Sequence, residues 1–365
     1  MDQHSRLNNF DQVRLFGALL VIYGHAYPLT GAVSPGFAGN DIATIGVKIF
    51  FSISGYLVAQ SWLRDPNVAR FLLRRALRIF PALIVIVLLS AFVMGPILTR
   101  FSLSEYFSNQ HSYLYLRNIA LYIVYYLPGL FETNVYPGAV NGSLWSLPAE
   151  FMMYLLTPIL IAGATVVGGR TAFAVVAGAF IAVAFWLTSI GPQFRYVVYA
   201  TDLWSALSVA PYFLMGMLYA VCGLDRTLNI YLGAAGLFAL AAFETNAAVK
   251  EAALLAILPY FSLSFGTGFV PLLRRITRGN DLSYGLFLCG FPVEQVLRFE
   301  LGGLIGPWKT FVLATIICTG LAYVSWNFIE KPALNRKPRT RSPAADIDLR
   351  SRDTELPVSV PSSGS

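Results

Sequence analysis

GYLVAQSWLRDPNVARFLLRRALRIFPALIVIVLL, residues 55–89, decides the fold. Both ends of this stretch are apolar, and Arg64, Arg70, Arg74, Arg75 and Arg78 crowd the middle. A spanning helix needs about 20 mainly apolar residues, and the stretch reads as the end of one such helix, a basic joint over 63–76 and the start of the next. The pattern continues along the chain. Ten candidate spans are predicted at 13–30, 42–62, 77–98, 144–167, 171–190, 203–223, 229–243, 249–270, 282–303 and 307–329. The seventh is short. A further apolar run at 118–131 lies inside the longest loop, 99–143, and reads as re-entrant or interfacial. The fold class is therefore all-α, a polytopic membrane helix bundle of about ten transmembrane helices.

Composition agrees. The chain is 56% hydrophobic and 12% charged, with mean hydropathy +0.62, whereas soluble domains carry roughly 25% charged residues. With a cytoplasmic N-terminus and ten spans, 18 of the 26 Lys and Arg fall on the cytoplasmic side, six outside and two, Arg14 and Lys48, within spans. That asymmetry obeys the positive-inside rule. The net charge of +7 thus reports membrane topology, in a cell inner (plasma) membrane with both termini cytoplasmic, and not nucleic-acid binding. Membrane lipids are the implied surroundings. The chain divides into a transmembrane domain, 1–335, and a Pro-, Ser- and charge-rich tail, 336–365, expected to be disordered. Cys222, Cys289 and Cys318 read as small core residues, and three scattered histidines offer no metal cluster.

Ionisable groups inside spans are costly and mark function. Arg14 and His25 are eleven residues apart, three turns and roughly 20°, so they share a helix face about 16 Å apart. Asp11 pairs plausibly with Arg14 at i, i+3. On this helix alone His25 fits equally a core histidine bonded to a neighbouring helix. Glu150 lies roughly 9 Å inside the outer edge by helix rise and His25 roughly 12 Å, which suggests a carboxylate orienting a basic imidazole. Arg64, Arg74, Arg75 and Arg78 read either as positive-inside anchors or as an anion site suited to phosphates, while Arg70 reads as a topology anchor. Trp145, Trp204, Trp308 and Trp326 read as interfacial anchors, Trp145 with an added option of stacking on a sugar. Glu294 and Glu330 are possible partners for buried cations.

Five segments in order resemble the integral-membrane acyltransferase-3 family. They are DQVRLFGALLVIYGH with Arg14 and His25, GVKIFFSISGYLVAQSW followed by Arg64, ten residues and Arg75, GSLWSLPAEFMMYLLTP with Glu150, LSYGLFLCGFPV, and FIEKPA. The resemblance covers about 10–335. It implies O-acylation, usually acetylation, of an extracytoplasmic glycan or lipid-linked saccharide, with acyl-CoA as co-substrate and no bound cofactor. His25 and Glu150 are then the expected catalytic pair, Arg14, Arg64, Arg74 and Arg75 the donor-binding residues, and Trp145 and Lys48 the acceptor contacts. Lys48 stands where many relatives carry an acid, and Pro148 introduces a candidate kink. A proton-coupled transporter is the rival reading, since intramembrane Arg, Glu and His suit it too.

Overall fold

The computed structural model describes residues 8–189, 191, 196–268, 270 and 280–338. Among these, ten helices of thirteen or more residues make up the bundle. They are α1 Phe10–Thr30, α2 Ile42–Arg64, α3 Val68–Leu89, α4 Ser146–Val167, α5 Gly169–Ser189, α6 Leu203–Cys222, α7 Ile230–Ala242, α8 Ala247–Thr267, α9 Ser283–Leu301 and α10 Pro307–Ser325. Helix α3 continues through a π-turn, Ser90–Met94, into Gly95–Leu98, and α10 through a second π-turn, Trp326–Glu330, into Lys331–Asn335. Two hairpins of two-residue strands complete the pattern, β1 Gly36–Phe37 with β2 Asn40–Asp41 and β3 Val197–Val198 with β4 Thr201–Asp202. The tail expected over 336–365 falls outside the described residues from 339 onward.

Seven helical runs are long and apolar enough to cross a membrane by length and composition, namely α2, α3 with its extension, α4 with its preceding turn, α5, α6, α8 and α10 with its extension. Helices α1 and α9 are also of spanning length, at 21 and 19 residues, but carry the polar groups of the site. Helix α7 has thirteen residues, fewer than a span requires. The protein is a multi-pass membrane protein.

Asn and Asp set the helix starts. The side chains of Asp41, Asn67, Asp202, Asn229 and Asn246 each accept a backbone N–H in the first turn of the helix that follows, satisfying donors that no intrahelical carbonyl reaches. Asn67 matters most, because it starts α3 at Val68 rather than near residue 77. The basic joint shrinks to Asp65–Asn67, and Arg70, Arg74 and Arg75 move onto the helix that carries Arg78. Pro148 sits in the first turn of α4, where its missing N–H has no intrahelical partner to lose, so the suggested kink is not its effect.

Helix α2 is the axis of the bundle, packed backbone to backbone on both sides. A Cβ on Gly46 would lie 2.6 Å from the Gly17 carbonyl oxygen of α1. On the other side, a Cβ on Gly55 would lie 1.9 Å from the Phe213 carbonyl of α6, and one on Gly216 2.0 Å from that of Ser52. Small residues at these crossings let helices meet closely where no solvent drives them together. The long loop does not span at 118–131. It returns into the bundle with Leu127, Leu130, Phe131, Val140 and Asn141 buried, and Asn141 donates to the Leu288 carbonyl of α9 at 2.9 Å.

Gly216→Ala is therefore expected to lower thermal stability in detergent, by the ~1–3 kcal/mol or more of an overpacked core. Gly163→Ala, with open space where its Cβ goes, is the matched control and should leave the midpoint unchanged. Equal midpoints for both variants would contradict this packing.

Candidate active site

The cationic site begins with the phase of α3. Starting the helix at Val68 puts Arg70 and Arg74 on one face (i, i+4) and Arg75 and Arg78 on another (i, i+3). The first pair is structural. Arg70 binds Asp65 through two nitrogens, at 3.0 and 2.5 Å, and Arg74 donates to it at 2.7 Å. Asp65 and Arg74 are both buried. Arg70, then Arg74, hold the Asp65 carboxyl well below the usual carboxylate range against the opposing effect of burial. Arg74, expected to bind the donor, is instead engaged in closing the α2–α3 joint and lines neither of the two cavities described below. Arg70 pairs with the same carboxylate.

The second pair faces a cavity of about 380 Å³ bounded by α1, α2, α3, α4, α9 and the end of α10. Five cations line it, Arg14, Arg64, Arg75, Arg78 and Lys337, against three carboxylates, Asp11, Glu150 and Asp281. Asp281 is the hub. It accepts from Arg78 at 2.6 Å, from Arg14 at 3.3 Å, and from the Ser283 hydroxyl at 2.5 Å. Arg14 also pairs with Asp11 at 2.9 Å, as expected. Arg78 lies 3.8 Å from Glu330, which the π-turn Trp326–Glu330 carries inward, where the Ser325 hydroxyl donates to it at 2.9 Å. Among the described residues no carboxylate pairs with Arg64, Arg75 or Lys337. Arg75 instead lies over the rings of Tyr154, at 5.8 Å, and Phe71, at 5.9 Å. Burial, then the cations Arg75, Arg78 and Arg14, push the Lys337 ammonium down to about 7. Uncompensated positive charge is concentrated at this mouth.

Glu150 belongs to the same cavity. Its Oε1 accepts from Ser54 of α2 at 2.7 Å and from Tyr154 at 2.5 Å, and Tyr154 is the ring beside Arg75. Glu150 makes no hydrogen bond or ion pair with His25, so the expected pair is not formed. Helix rise measured from the membrane's outer edge sets Glu150 level with His25, but the loop carries the start of this segment into the bundle. Gly142, which opens the turn Gly142–Trp145 before α4, packs on Phe291, whose ring a Cβ there would approach to 2.4 Å. Phe291 is also the ring against His25, with centroids 5.2 Å apart at 79°. The segment thus starts level with the imidazole, and Glu150, eight residues on, lies about 12 Å nearer the arginine end by helix rise.

His25 sits beyond the cavity. Phe287, which lines the cavity top and stacks edge-on with Phe50 at 5.9 Å, is one turn of α9 before Phe291, a step of about 6 Å. Two or three aromatic rings therefore stand between the cationic cavity and the imidazole. His25 Nδ1 is buried without a hydrogen-bond partner, while Asp41, at the start of α2, is bonded to Thr44. Trp145 packs against the core and lines neither this cavity nor the one around Lys48. Trp326 is less an anchor than a cavity wall, donating to Asn280 at 3.1 Å. Glu330 meets a cation, whereas both carboxyl oxygens of Glu294 are buried without a partner.

Sequence reasoning includes Arg78 among the arginines of the anion site but leaves Asp281 and Lys337 out. Asp281 is signalled only by the need of buried arginines for a counter-charge. Nothing in the local sequence marks Lys337.

An all-helical membrane bundle with a cationic cavity and an isolated imidazole defines a class, and comparison with known proteins names it. A family model described as an acyltransferase domain matches residues 7–327. The chain is 31% identical over 348 residues to an O-acetyl transferase of Shigella phage Sf6, covering 93% of this chain and 99% of that one. It is 31% identical over 363 residues to nodulation protein 10 of Rhizobium leguminosarum bv. viciae, covering 90% and 93%. It is 26% identical to the peptidoglycan O-acetyltransferase OatA of Listeria monocytogenes, over 86% of this chain and 54% of that protein. No solved structure matches. The chain belongs to the integral-membrane acyltransferase family 3 and is an O-acyltransferase, which sets aside the transporter reading.

The division between the two arginine pairs is testable. Asp65→Ala strands the buried Arg74 and is expected to cost about 3–5 kcal/mol of stability in detergent unfolding, while the protein that remains folded binds donor with wild-type affinity. Unchanged stability with weakened donor binding would reverse the assignment.

Proposed function

We propose that the chain moves an acetyl group from cytoplasmic acetyl-CoA to a hydroxyl of an extracytoplasmic or lipid-linked glycan, in a cell inner membrane with both termini cytoplasmic. One observation carries this reading. The cavity at the arginine end holds Arg64, Arg75 and Lys337 with no carboxylate assigned to them, a polyanion site on the side that the positive-inside rule makes cytoplasmic. The donor's phosphates supply that charge. Arg14 and Arg78 are already held by Asp281, so they act as a rigid cationic floor rather than as free partners. The pantetheine arm runs along α1 and α9 past Phe50 and Phe287 and delivers the thioester to His25, about 16 Å beyond Arg14 by helix rise.

At that point the imidazole acts as general base. The acceptor hydroxyl oxygen attacks the thioester carbonyl carbon while its proton passes to His25. The tetrahedral centre then collapses, the C–S bond breaks, and the CoA thiolate leaves and takes the proton from the imidazolium. The unpartnered Nδ1 leaves the ring free to orient toward the incoming hydroxyl. Glu150 makes no contact with the imidazole and is given no part in this proton transfer. Glu150 is a positioning residue of the donor cavity, holding Tyr154 beside Arg75. The excluded surroundings strengthen each of these charge interactions.

His25→Ala is expected to abolish transfer of labelled acetyl from acetyl-CoA to membrane or glycan fractions while leaving the unfolding midpoint unchanged. Arg75→Met is expected to weaken acetyl-CoA binding about tenfold or more in calorimetry. Transfer within twofold of wild type for His25→Ala, or unaltered affinity for Arg75→Met, would contradict the roles given.

Lys337 adds a pH signature. Burial and the neighbouring arginines hold its ammonium at about 7, and donor phosphates move it back toward the ordinary value of about 10.4. Binding between those limits takes up a proton, so affinity falls as pH rises above 7, by up to about tenfold per pH unit. Calorimetry at pH 8 in buffers of different ionisation enthalpy reads that uptake directly, and Lys337→Met should remove it. Binding with no proton exchange in the wild-type protein would exclude Lys337 from the phosphate site.

A further inference from the structure

The end of the bundle opposite the arginines holds a second cavity, of about 440 Å³, between α2, α5, α6 and α8. That volume lies within the range of cavities that hold small organic ligands, about 300–1,000 Å³. Its floor is a closed network. Lys48 Nζ donates to Glu251 at 2.6 Å and to Asn40 at 2.8 Å, while Tyr212 and the Asn40 amide donate to Glu251, each at 2.8 Å. Lys48 also lies 4.8 Å from the Tyr212 ring centroid. The charges cancel, so the floor calls for neither an anion nor a cation.

What the cavity leaves unspent is hydrogen-bonding capacity next to aromatic surface. An ammonium has three donors, and Lys48 uses two on protein groups. The indole Nε1 of Trp204 is buried with no partner. The hydroxyls of Thr188, Ser189 and Ser208 donate to carbonyls of their own helices, keeping lone pairs to accept from a ligand. Phe185, Trp204 and Tyr212 line the walls. Neutral charge, mixed donors and acceptors and flat aromatic faces together suit a neutral polyhydroxylated ring.

The cavity also has a structural link to the imidazole. Asn40 and Asp41 form strand β2, and successive strand residues point to opposite faces. Asn40 is part of the cavity floor, and Ala43, just past β2 at the start of α2, packs directly on Gly24, the neighbour of His25.

We propose that this outer cavity binds a neutral saccharide unit of the acceptor, next to the unit whose hydroxyl reaches His25, and so selects which ring of the chain is acylated. The proposal rests on the acyl-transfer reading above and adds the place and chemistry of acceptor recognition. Lys48 is then an acceptor residue through a network with Glu251, and the sugar-stacking role expected of Trp145 passes to Trp204.

The test is saturation-transfer NMR on the full-length protein in nanodiscs with maltotriose and triacetylchitotriose as probes, and acetyl-CoA binding measured in parallel. Ring-proton transfer is expected with at least one trisaccharide. Trp204→Ala and the cavity-filling Ser208→Trp should each reduce it at least fivefold, and Trp204→Phe should keep it within twofold. Wild-type acetyl-CoA affinity in Ser208→Trp shows that this variant is folded. No transfer from either probe to the wild-type protein, or undiminished transfer in both Trp204→Ala and Ser208→Trp, would overturn the proposal. So would a phospholipid that native mass spectrometry finds on the wild type and loses in Ser208→Trp, since the cavity would then be a lipid site. Saccharide signals that follow the variants while wild-type protein binds no acetyl-CoA would support this cavity and count against the donor reading instead.

Discussion

Asp281 is the constraint on which the arrangement of the inner cavity depends. One carboxylate accepts from Arg14 of α1 and Arg78 of α3 while its other oxygen is held by Ser283 at the start of α9. Arg78 extends the link to Glu330 beyond α10. Four helices distant in sequence are thereby tied at one level. Buried charges tolerate such a position only when paired, and the pairing decides which cations remain available. Arg14 and Arg78 are neutralised in place, and Arg74 is neutralised by Asp65. What is left over, Arg64, Arg75 and Lys337, is the charge that a ligand can meet.

The two cavities stand at opposite ends of the bundle, and α2 contributes to both. Its residues Ser54, Leu57 and Arg64 face the cationic cavity and Lys48 the neutral one. Between them, near the far end of α1, His25 is enclosed by Phe291 and the returning loop. On the proposed reading, a charged donor on one side of the membrane and a hydroxylated acceptor on the other have to be kept apart except at the reacting atoms. Aromatic packing at Phe50, Phe287 and Phe291 does this with rings that exclude water and need no hydrogen-bond partners of their own.

Most of the fold was legible because its signals are local. Apolar runs of spanning length locate α2, α3, α5, α6, α8 and α10 to within a few residues except at the start of α3, where Asn67 capping extends a helix whose arginines read as a joint. The Arg14–Asp11 pair followed from i, i+3 spacing alone. The site was legible only in part, because its geometry depends on where a segment starts in space. The Glu150–His25 pairing assumed that the fourth span begins at the membrane edge. The burial of Val140, Asn141 and Leu144 moves that start inward and shifts Glu150 to the cationic cavity. Long-range partners such as Asp281 and Glu251 carry no local mark. A count of buried cations still needing a carboxylate points toward them but cannot choose among candidates.

The central claim is that the donor occupies the cationic cavity with its thioester directed past Phe287 toward His25. Cryo-electron microscopy of the full-length protein in nanodiscs with a non-hydrolysable acetyl-CoA analogue tests it most directly. The account predicts phosphate density against Arg75 and Lys337 and the acyl end near the His25 ring. Analogue bound anywhere else, or seated with its acyl end away from His25, would contradict it.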